Sequence, residues 1–201
     1  MLEQVLDERR LDEQRLIEKA KSGDDRSFEL LIESCTAKAY NTALRYLRNE
    51  DDAMDALQES LLKVFRHLDK FKGDCKFDTW VYRIVMNTCH DMARKKNPLH
   101  YAESIYHNAD DEEVVIEIRD TGPIPEEIVE RMEDCDYLID CMEHIPPQHK
   151  EIIILRDIQG FSYEQIGEIL DCSIGTVKSR INRARQKLKE VLLEQNKWNT
   201  V

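Results

Sequence analysis

The sequence is short of the two residues that make tight turns, with 6 glycines and 5 prolines in 201 residues. That scarcity argues against turn-rich all-β architectures, which need glycine or proline at many of their reversals. Nowhere does an apolar run approach the roughly 18 residues that a membrane-crossing helix needs, so no membrane insertion is expected. The opening stretch MLEQVLDERRLDEQRLIEKA is charged throughout and lacks the apolar segment of a secretory signal. A cytoplasmic location is the expectation that follows. There is no HExxH, no glycine-rich phosphate loop, no paired-carboxylate metal site and no Ser/His/Asp arrangement. These absences argue against an enzyme acting on nucleic acid, and no catalytic residue and no cofactor is expected.

CxxC pairs are missing too. The six cysteines, Cys35, Cys75, Cys89, Cys135, Cys141 and Cys172, are scattered, and in a reducing compartment such residues usually serve as small buried hydrophobes. Cys135, Cys141, His144 and His149 have zinc-binding chemistry, but their spacing makes no tight-turn ligand pair at both ends, and Pro146 and Pro147 fall inside it. The reading is helix residues, with no metal.

What the chain does contain is charge, unevenly placed. Hydrophobic residues make up 41% and charged residues 35%, a mixture suited to modest helical bundles with small cores. The formal net charge is −12, which at first sight opposes nucleic-acid binding. Residues 110–143 hold 14 acids and only Arg119 and Arg131 as bases, which accounts for that whole −12. The remainder keeps 27 of the 41 acids and 27 of the 29 bases and is neutral. Within it, residues 172–189 carry Lys178, Arg180, Arg183, Arg185, Lys187 and Lys189 and no acid. Most charge runs are solvated helix faces. Six uncompensated cations in an acidic protein read better as an electrostatic footprint for phosphate.

Periodicity predicts an all-α chain of two small helical domains, at 1–96 and 135–201. In the first, 27–47 has helical apolar spacing, and Leu57, Leu61, Val64, Phe65 and Leu68 form one stripe at i, i+4, i+7, i+8 and i+11. The acidic NEDDAMDALQES suits that helix's N-terminus. Lys72, Gly73 and Asp74 break the pattern, and Asp78 or Thr79 can cap a third helix running to about 96. Residues 97–134, with Pro98, Pro123, Pro125 and dense acids, read as a flexible acidic linker, with a short helix near its end as an alternative.

The C-terminal pattern is the most informative. Gly160 stops one helix, and Ser162 with Gln165 makes a capping box for the next. That helix turns Ile166, Ile169 and Leu170 inward. After a short turn at 171–173, Val177, Ile181, Ala184 and Leu188 repeat at helical spacing. Two short helices, a tight turn and a cationic second helix are the parts of a DNA-reading helix-turn-helix. The second helix presents Thr176, Lys178, Ser179, Asn182, Arg183 and Gln186 outward, residue types able to contact base edges. A plain amphipathic hairpin would not need that choice.

HIPPQHKEIIILRDIQGFSYEQIGEILDCSIGTVKSRINRARQKLK resembles region 4 of the extracytoplasmic-function (group 4) sigma factors of the sigma-70 family, and DDAMDALQESLLKVFRHLDKFKGDCKFDTWVYRIVMNTCHDMARKK resembles their region 2. Two motifs in family order, with a variable linker between them, strengthen each other. The acidic linker departs from any family pattern. The resemblance implies a transcription initiation factor that binds core RNA polymerase, through the clamp and flap of its large subunits, and promoter DNA. An anti-sigma factor is the implied controlling partner. It further implies that Asp52, Asp55, Gln58 and Glu59 dock on the clamp, where carboxylates would give steering and register. Residues 71–96 would capture the unpaired −10 strand, using Lys72, Lys76, Phe77, Trp80, Arg83, Asn87 and Arg94, with 72–77 as the pocket for a flipped base. Residues 63–96 hold nine bases against four acids with aromatics interleaved, as strand capture requires. Aromatics at helical spacing are more often core, which bears on Trp80 and Tyr82. Thr176, Lys178, Ser179, Asn182 and Arg183 would read the −35 element, and Arg180 and Arg185 would hold phosphates. A stand-alone dimeric helix-turn-helix regulator is the nearest rival reading. The acidic linker is also a candidate internal polyanion, competing with DNA for the cationic helix or occupying a basic channel of the polymerase near its active site.

Overall fold

The computed structural model describes residues 2–98 and 135–198, so the acidic linker from residue 99 to residue 134, and the expectations placed on it, lie outside the described residues. Among the described residues the only regular elements are helices. They form two compact units, divided at Met92 and Ala93 in the last turns of the fourth helix.

The N-terminal unit is built from α1 (Leu2–Lys21), α2 (Asp25–Leu47), α3 (Glu50–His67) with a 3-10 turn at Leu68–Lys70, and α4 (Phe77–Lys96). Local chemistry fixes each start. The Asp24 carboxylate accepts the Ser27 N–H at 3.2 Å, and the Asn49 side chain accepts the Asp52 N–H at 2.9 Å, so two of the orphan donors are satisfied. Helix α2 ends on Arg48 in the left-handed region, with φ of 59°. The core is Leu31, Cys35, Ala39 and Ala43 of α2 against Ala53, Ala56, Leu57 and Val64 of α3 and Val81, Val85, Met86 and Cys89 of α4. Small residues at the α2 and α3 positions allow close helix approach.

Two expectations shift here. Helix α4 starts at Phe77, with the Trp80 N–H donating to the Lys76 carbonyl at 3.1 Å, so neither Asp78 nor Thr79 is its cap. The Asp78 carboxylate instead accepts the N–H of its neighbour Thr79, inside the first turn. Of that stripe Leu57 and Val64 on α3 and Leu68 in the 3-10 turn are buried, but Phe65 is 56% exposed, its ring edge-to-face with Phe28 at 5.1 Å. The apolar stripe is wider than the face that the unit covers.

The C-terminal unit contains α5 (Cys135–Met142), α6 (Pro147–Ile153) running into a π-helical turn at Ile154–Ile158, α7 (Tyr163–Leu170) and α8 (Ile174–Trp198). Proline at the first position of α6 suits a site where the N–H has no helical partner. The wide π turn accompanies a run of four consecutive buried apolar residues, Ile152 to Leu155. These pack with Phe161, Ile166, Ile169, Val177, Ile181, Ala184 and Leu188, all buried. Lys150, almost covered, donates to the Glu143 carboxylate at 2.5 Å and ties the end of α5 to α6.

Candidate nucleic-acid interface

The α7–turn–α8 corner is set by a sequence of local devices. Gly160 takes φ of 71° to stop the preceding helix. The Ser162 N–H donates to Gln165 Oε1 at 2.9 Å and the Gln165 N–H donates to Ser162 Oγ at 3.2 Å, the reciprocal capping box the sequence predicts. Asp171 ends α7 in the left-handed region, and the Cys172 N–H closes back on the Gly167 carbonyl at 2.9 Å. A Cβ on Gly167 would sit 2.9 Å from the Cys172 carbonyl, so a side chain there would force the corner open. Ser173 Oγ accepts the Thr176 N–H at 3.1 Å and so starts α8.

With Val177, Ile181, Ala184 and Leu188 turned inward, the opposite face of α8 is fixed. Lys178 and Gln186 are exposed, and Thr176, Ser179, Arg180, Asn182 and Arg183 are half-exposed on that outer part. All of the residues expected to read bases therefore fall on one side of one helix. Its leading turn also exposes Ile174. Nearby, Glu164 in the first turn of α7 is held below the usual carboxylate range by its own backbone N–H and the Ser162 hydroxyl, with Lys178 and Arg156 adding attraction. Burial pushes the Cys172 thiol up from its ordinary value.

Arg185 behaves differently from its neighbours. Its guanidinium grips Asp157 through Nη2–Oδ1 at 2.6 Å and Nε–Oδ2 at 3.2 Å, and the two side chains are only 15% and 22% exposed. This arginine ties α8 to the π turn, at a position for which the resemblance implied a phosphate contact. The reason is its position: one residue past Ala184, it faces the π turn and not the open side. The adjacent Arg156 donates to the Phe161 carbonyl at 2.8 Å and stacks on Tyr163 at 4.6 Å, placing a cation beside the start of α7. The sequence gives no sign of either pairing. Among the remaining cations, Lys187 meets Glu190 at 3.0 Å in a half-exposed pair that contributes little.

In the N-terminal unit, Trp80, Arg83, Asn87 and Arg94 lie at i, i+3, i+7 and i+14 of α4, one helical face. Asn87 and Arg94 are exposed, and Trp80 and Arg83 are half-buried. Lys72 and Lys76 are exposed in the segment leading to α4, where Gly73 takes φ of 80°. Phe77 does not belong to this surface. It opens the inward stripe Phe77, Val81, Val85, is 2% exposed, and its ring packs on Phe71 and Trp80 at 5.7 and 5.9 Å. Tyr82 is equally buried, and Trp80 is the half-buried aromatic of this face.

The outer face of α3 carries the acids. Asp55, Gln58 and Glu59 are exposed, while Asp52 is half-buried in the capped first turn. Glu59 meets Lys63 at 2.8 Å, and Lys63 also donates to Thr88 of α4 at 3.0 Å. Alongside these carboxylates run Met54, Leu62 and Phe65, exposed by 44%, 56% and 56%, with Gln58 in the same line. Scattered exposed apolar residues are ordinary, but a stripe along one helix, rimmed by acids, has the anatomy of a protein interface. Periodicity assigned Phe65 to the core and so concealed it.

The class that these units define is an all-helical DNA-binding protein, with a helix-turn-helix in one unit and an acid-rich helix beside a basic, aromatic one in the other. Comparison with known proteins makes this specific. The family model for sigma-70 region 2 matches residues 31–98, and that for sigma-70 region 4 matches residues 135–188. The ECF RNA polymerase sigma-E factor of Haemophilus influenzae is 34% identical over 181 residues, covering 89% of this chain and 94% of that protein. The ECF RNA polymerase sigma factor SigW of Bacillus subtilis is 32% identical, with 88% and 94% covered. Among solved structures, the sigma factor RpoE from Bartonella quintana, in complex with the anti-sigma factor NepR, superposes with a TM-score of 0.60 at 26% identity, covering 83% of this chain and 97% of that one. The fold of CnrH, solved with the cytosolic domain of CnrY, is also similar, with a TM-score of 0.62 at 22% identity and 90% and 97% covered. This chain belongs to the ECF RNA polymerase sigma factors.

No helix among the described residues is long and apolar enough to cross a membrane.

Proposed function

We propose that this protein binds core RNA polymerase in the cytoplasm and directs it to promoters, α8 reading a −35 element in the major groove and α4 with residues 72–76 holding the separated −10 strand. It acts as a binding subunit and not as an enzyme. The observation that carries this reading is the outer face of α8, where Thr176, Lys178, Ser179, Asn182 and Arg183 stand opposite a fully buried apolar stripe. Such residues can pair with base edges in the major groove. The functional parts are then residues 1–96 for polymerase and −10 contacts, 97–134 as a tether, and 135–201 for the −35 element.

Thr176, Lys178, Ser179, Asn182 and Arg183 form the base-reading set, Arg180 and Arg156 serve phosphates, and Arg185, held by Asp157, sets the angle of α8. In strand capture Lys72, Lys76, Arg83 and Arg94 follow the backbone, Asn87 contacts a base edge, and Trp80 stacks. Phe77 supports Trp80 from below. On α3, Asp52, Asp55, Gln58 and Glu59 steer the polymerase clamp while Met54, Leu62 and Phe65 supply the desolvated centre, since charged rims contribute more to encounter and apolar centres more to affinity. Control by an anti-sigma factor follows from the likeness to RpoE of Bartonella quintana, which was solved bound to one.

Two weak DNA grips on one tethered chain gain strength only when polymerase fixes their spacing. The test compares DNA binding by the purified protein with and without core polymerase, using a random-sequence duplex library. Selection of a two-part motif only in the presence of core polymerase supports the reading. Tight, symmetric motifs bound by the protein alone would favour a dimeric regulator.

A further inference from the structure

The strand-capture reading leaves α1 without a role. The end of that helix nevertheless touches the capture segment directly. Lys21, the last residue of α1, donates from Nζ to the Phe71 carbonyl at 2.5 Å and lies 5.9 Å from the centre of the Phe71 ring. Phe71 is the pivot of the segment. It follows the 3-10 turn, with its N–H donating to the Leu68 carbonyl at 3.1 Å, and from it the chain enters residues 72–76. Its ring also packs on Trp80 at 5.1 Å and on Phe77 at 5.7 Å, and Phe77 and Trp80 touch in turn. One ammonium therefore fixes both the backbone and the ring at the base of the loop, and the ring sets the tilt of Trp80.

Lys21 is itself held in place. The Ser22 hydroxyl donates to the Lys19 carbonyl at 2.7 Å, the Ser22 and Gly23 N–H groups close on Glu18, Lys19 and Ala20, and Gly23 turns through φ of 94° into the capped start of α2. A charge-assisted hydrogen bond to a carbonyl is stronger than a neutral one, and here it joins elements 50 residues apart in the chain. In the loop beyond Phe71, Lys72, Gly73, Asp74 and Lys76 are exposed and Cys75 is half-buried. Side chains that must meet an unstacked base need such support from a neighbouring element.

We propose that Lys21 is a positioning residue for −10 strand capture, through which α1 orders Phe71, the loop at 72–76 and Trp80 for an unpaired base. This inference rests on the strand-capture reading above. It predicts that Lys21 acts on base recognition and leaves polymerase docking on α3 and duplex reading by α8 untouched.

The test uses the holoenzyme, with fluorescently labelled single strands taken from a −10 region that the wild-type holoenzyme has selected. A matched set carries one abasic site at each position in turn. Wild-type holoenzyme loses affinity when the captured base is removed. Lys21→Met, which keeps the apolar stem, binds the intact strand about tenfold more weakly, the scale of one lost stacking contact, and binds the strand abasic at that position as the wild type does. Lys21→Arg restores most of the difference. Affinity for core polymerase and the thermal midpoint of the free protein are measured alongside. If Lys21→Met weakens intact and abasic strands equally, or weakens neither, the inference is overturned while strand capture stands. If the wild-type holoenzyme shows no base dependence at any position, strand capture fails, and the inference falls with it.

Discussion

Breaking the Arg185–Asp157 pair gives a quantitative check on how α8 is mounted. At 2.6 and 3.2 Å, with 15% and 22% of the two side chains exposed, this is a largely covered, two-point contact. Unit charges about 4 Å apart attract by about 4 kcal/mol at an effective dielectric near 20. Desolvation of both groups offsets much of that, leaving a coupling of about 1–2 kcal/mol, above the 0.2–1 kcal/mol of a fully exposed pair. The assay is a double-mutant cycle of Arg185→Ala, Asp157→Ala and the double variant, read by native-state hydrogen exchange at α8 amides so that only the C-terminal unit is followed. Asp157→Ala has a second consequence. It releases a cation on the DNA-binding helix, so the slope of log affinity against log salt should steepen by about one phosphate contact. Additivity within about 0.3 kcal/mol, together with an unchanged salt slope, would refute the assignment of Arg185 to α8 placement.

Other consequences are as direct. Gly167→Ala should cost a net of about 1–2 kcal/mol, because the strain of opening the corner against the Cys172 carbonyl exceeds alanine's helix advantage of about 1 kcal/mol; urea unfolding of the C-terminal unit measures it. Leu62→Ser should change stability by less than about 0.5 kcal/mol yet weaken core polymerase binding about fivefold or more, in a titration with labelled protein. Burial raises the Cys35 thiol from 9.0 to about 12 and raises Tyr82 as well. Because the native state holds these protons more tightly than the unfolded chain, their stabilisation is complete below about pH 9 and is lost as pH climbs through about 12. Urea midpoints of the N-terminal unit should fall over that interval, with a shallower fall in Cys35→Ala.

Much of this molecule can be read from one-dimensional pattern, and the misses share a cause. The stripe Val177, Ile181, Ala184, Leu188, the Ser162–Gln165 box and the stop at Gly160 are all local signals, three or four residues apart, and each appears where its spacing places it. Phe65 and Phe77 show the limit. Both are aromatic residues at helical spacing, yet Phe65 faces solvent and Phe77 the core, because exposure depends on which neighbouring helix covers that side. The pairings that refine the site, Arg185 with Asp157 and Lys21 with Phe71, span 28 and 50 residues. No periodicity reports contacts of that range. Charge composition alone misleads in the same way: counting the six bases of residues 172–189 gives the sign of the field there but not that one of them is already held by Asp157.

Start-site choice by polymerase tests the central claim most directly. Core enzyme is mixed with this protein on a template carrying the two-part motif it selects, and transcripts are mapped by run-off. The account requires a single defined start that depends on the protein and is lost when Lys178, Asn182 and Arg183 are replaced together by alanine. Transcripts of the same origin and yield with and without the protein would contradict it.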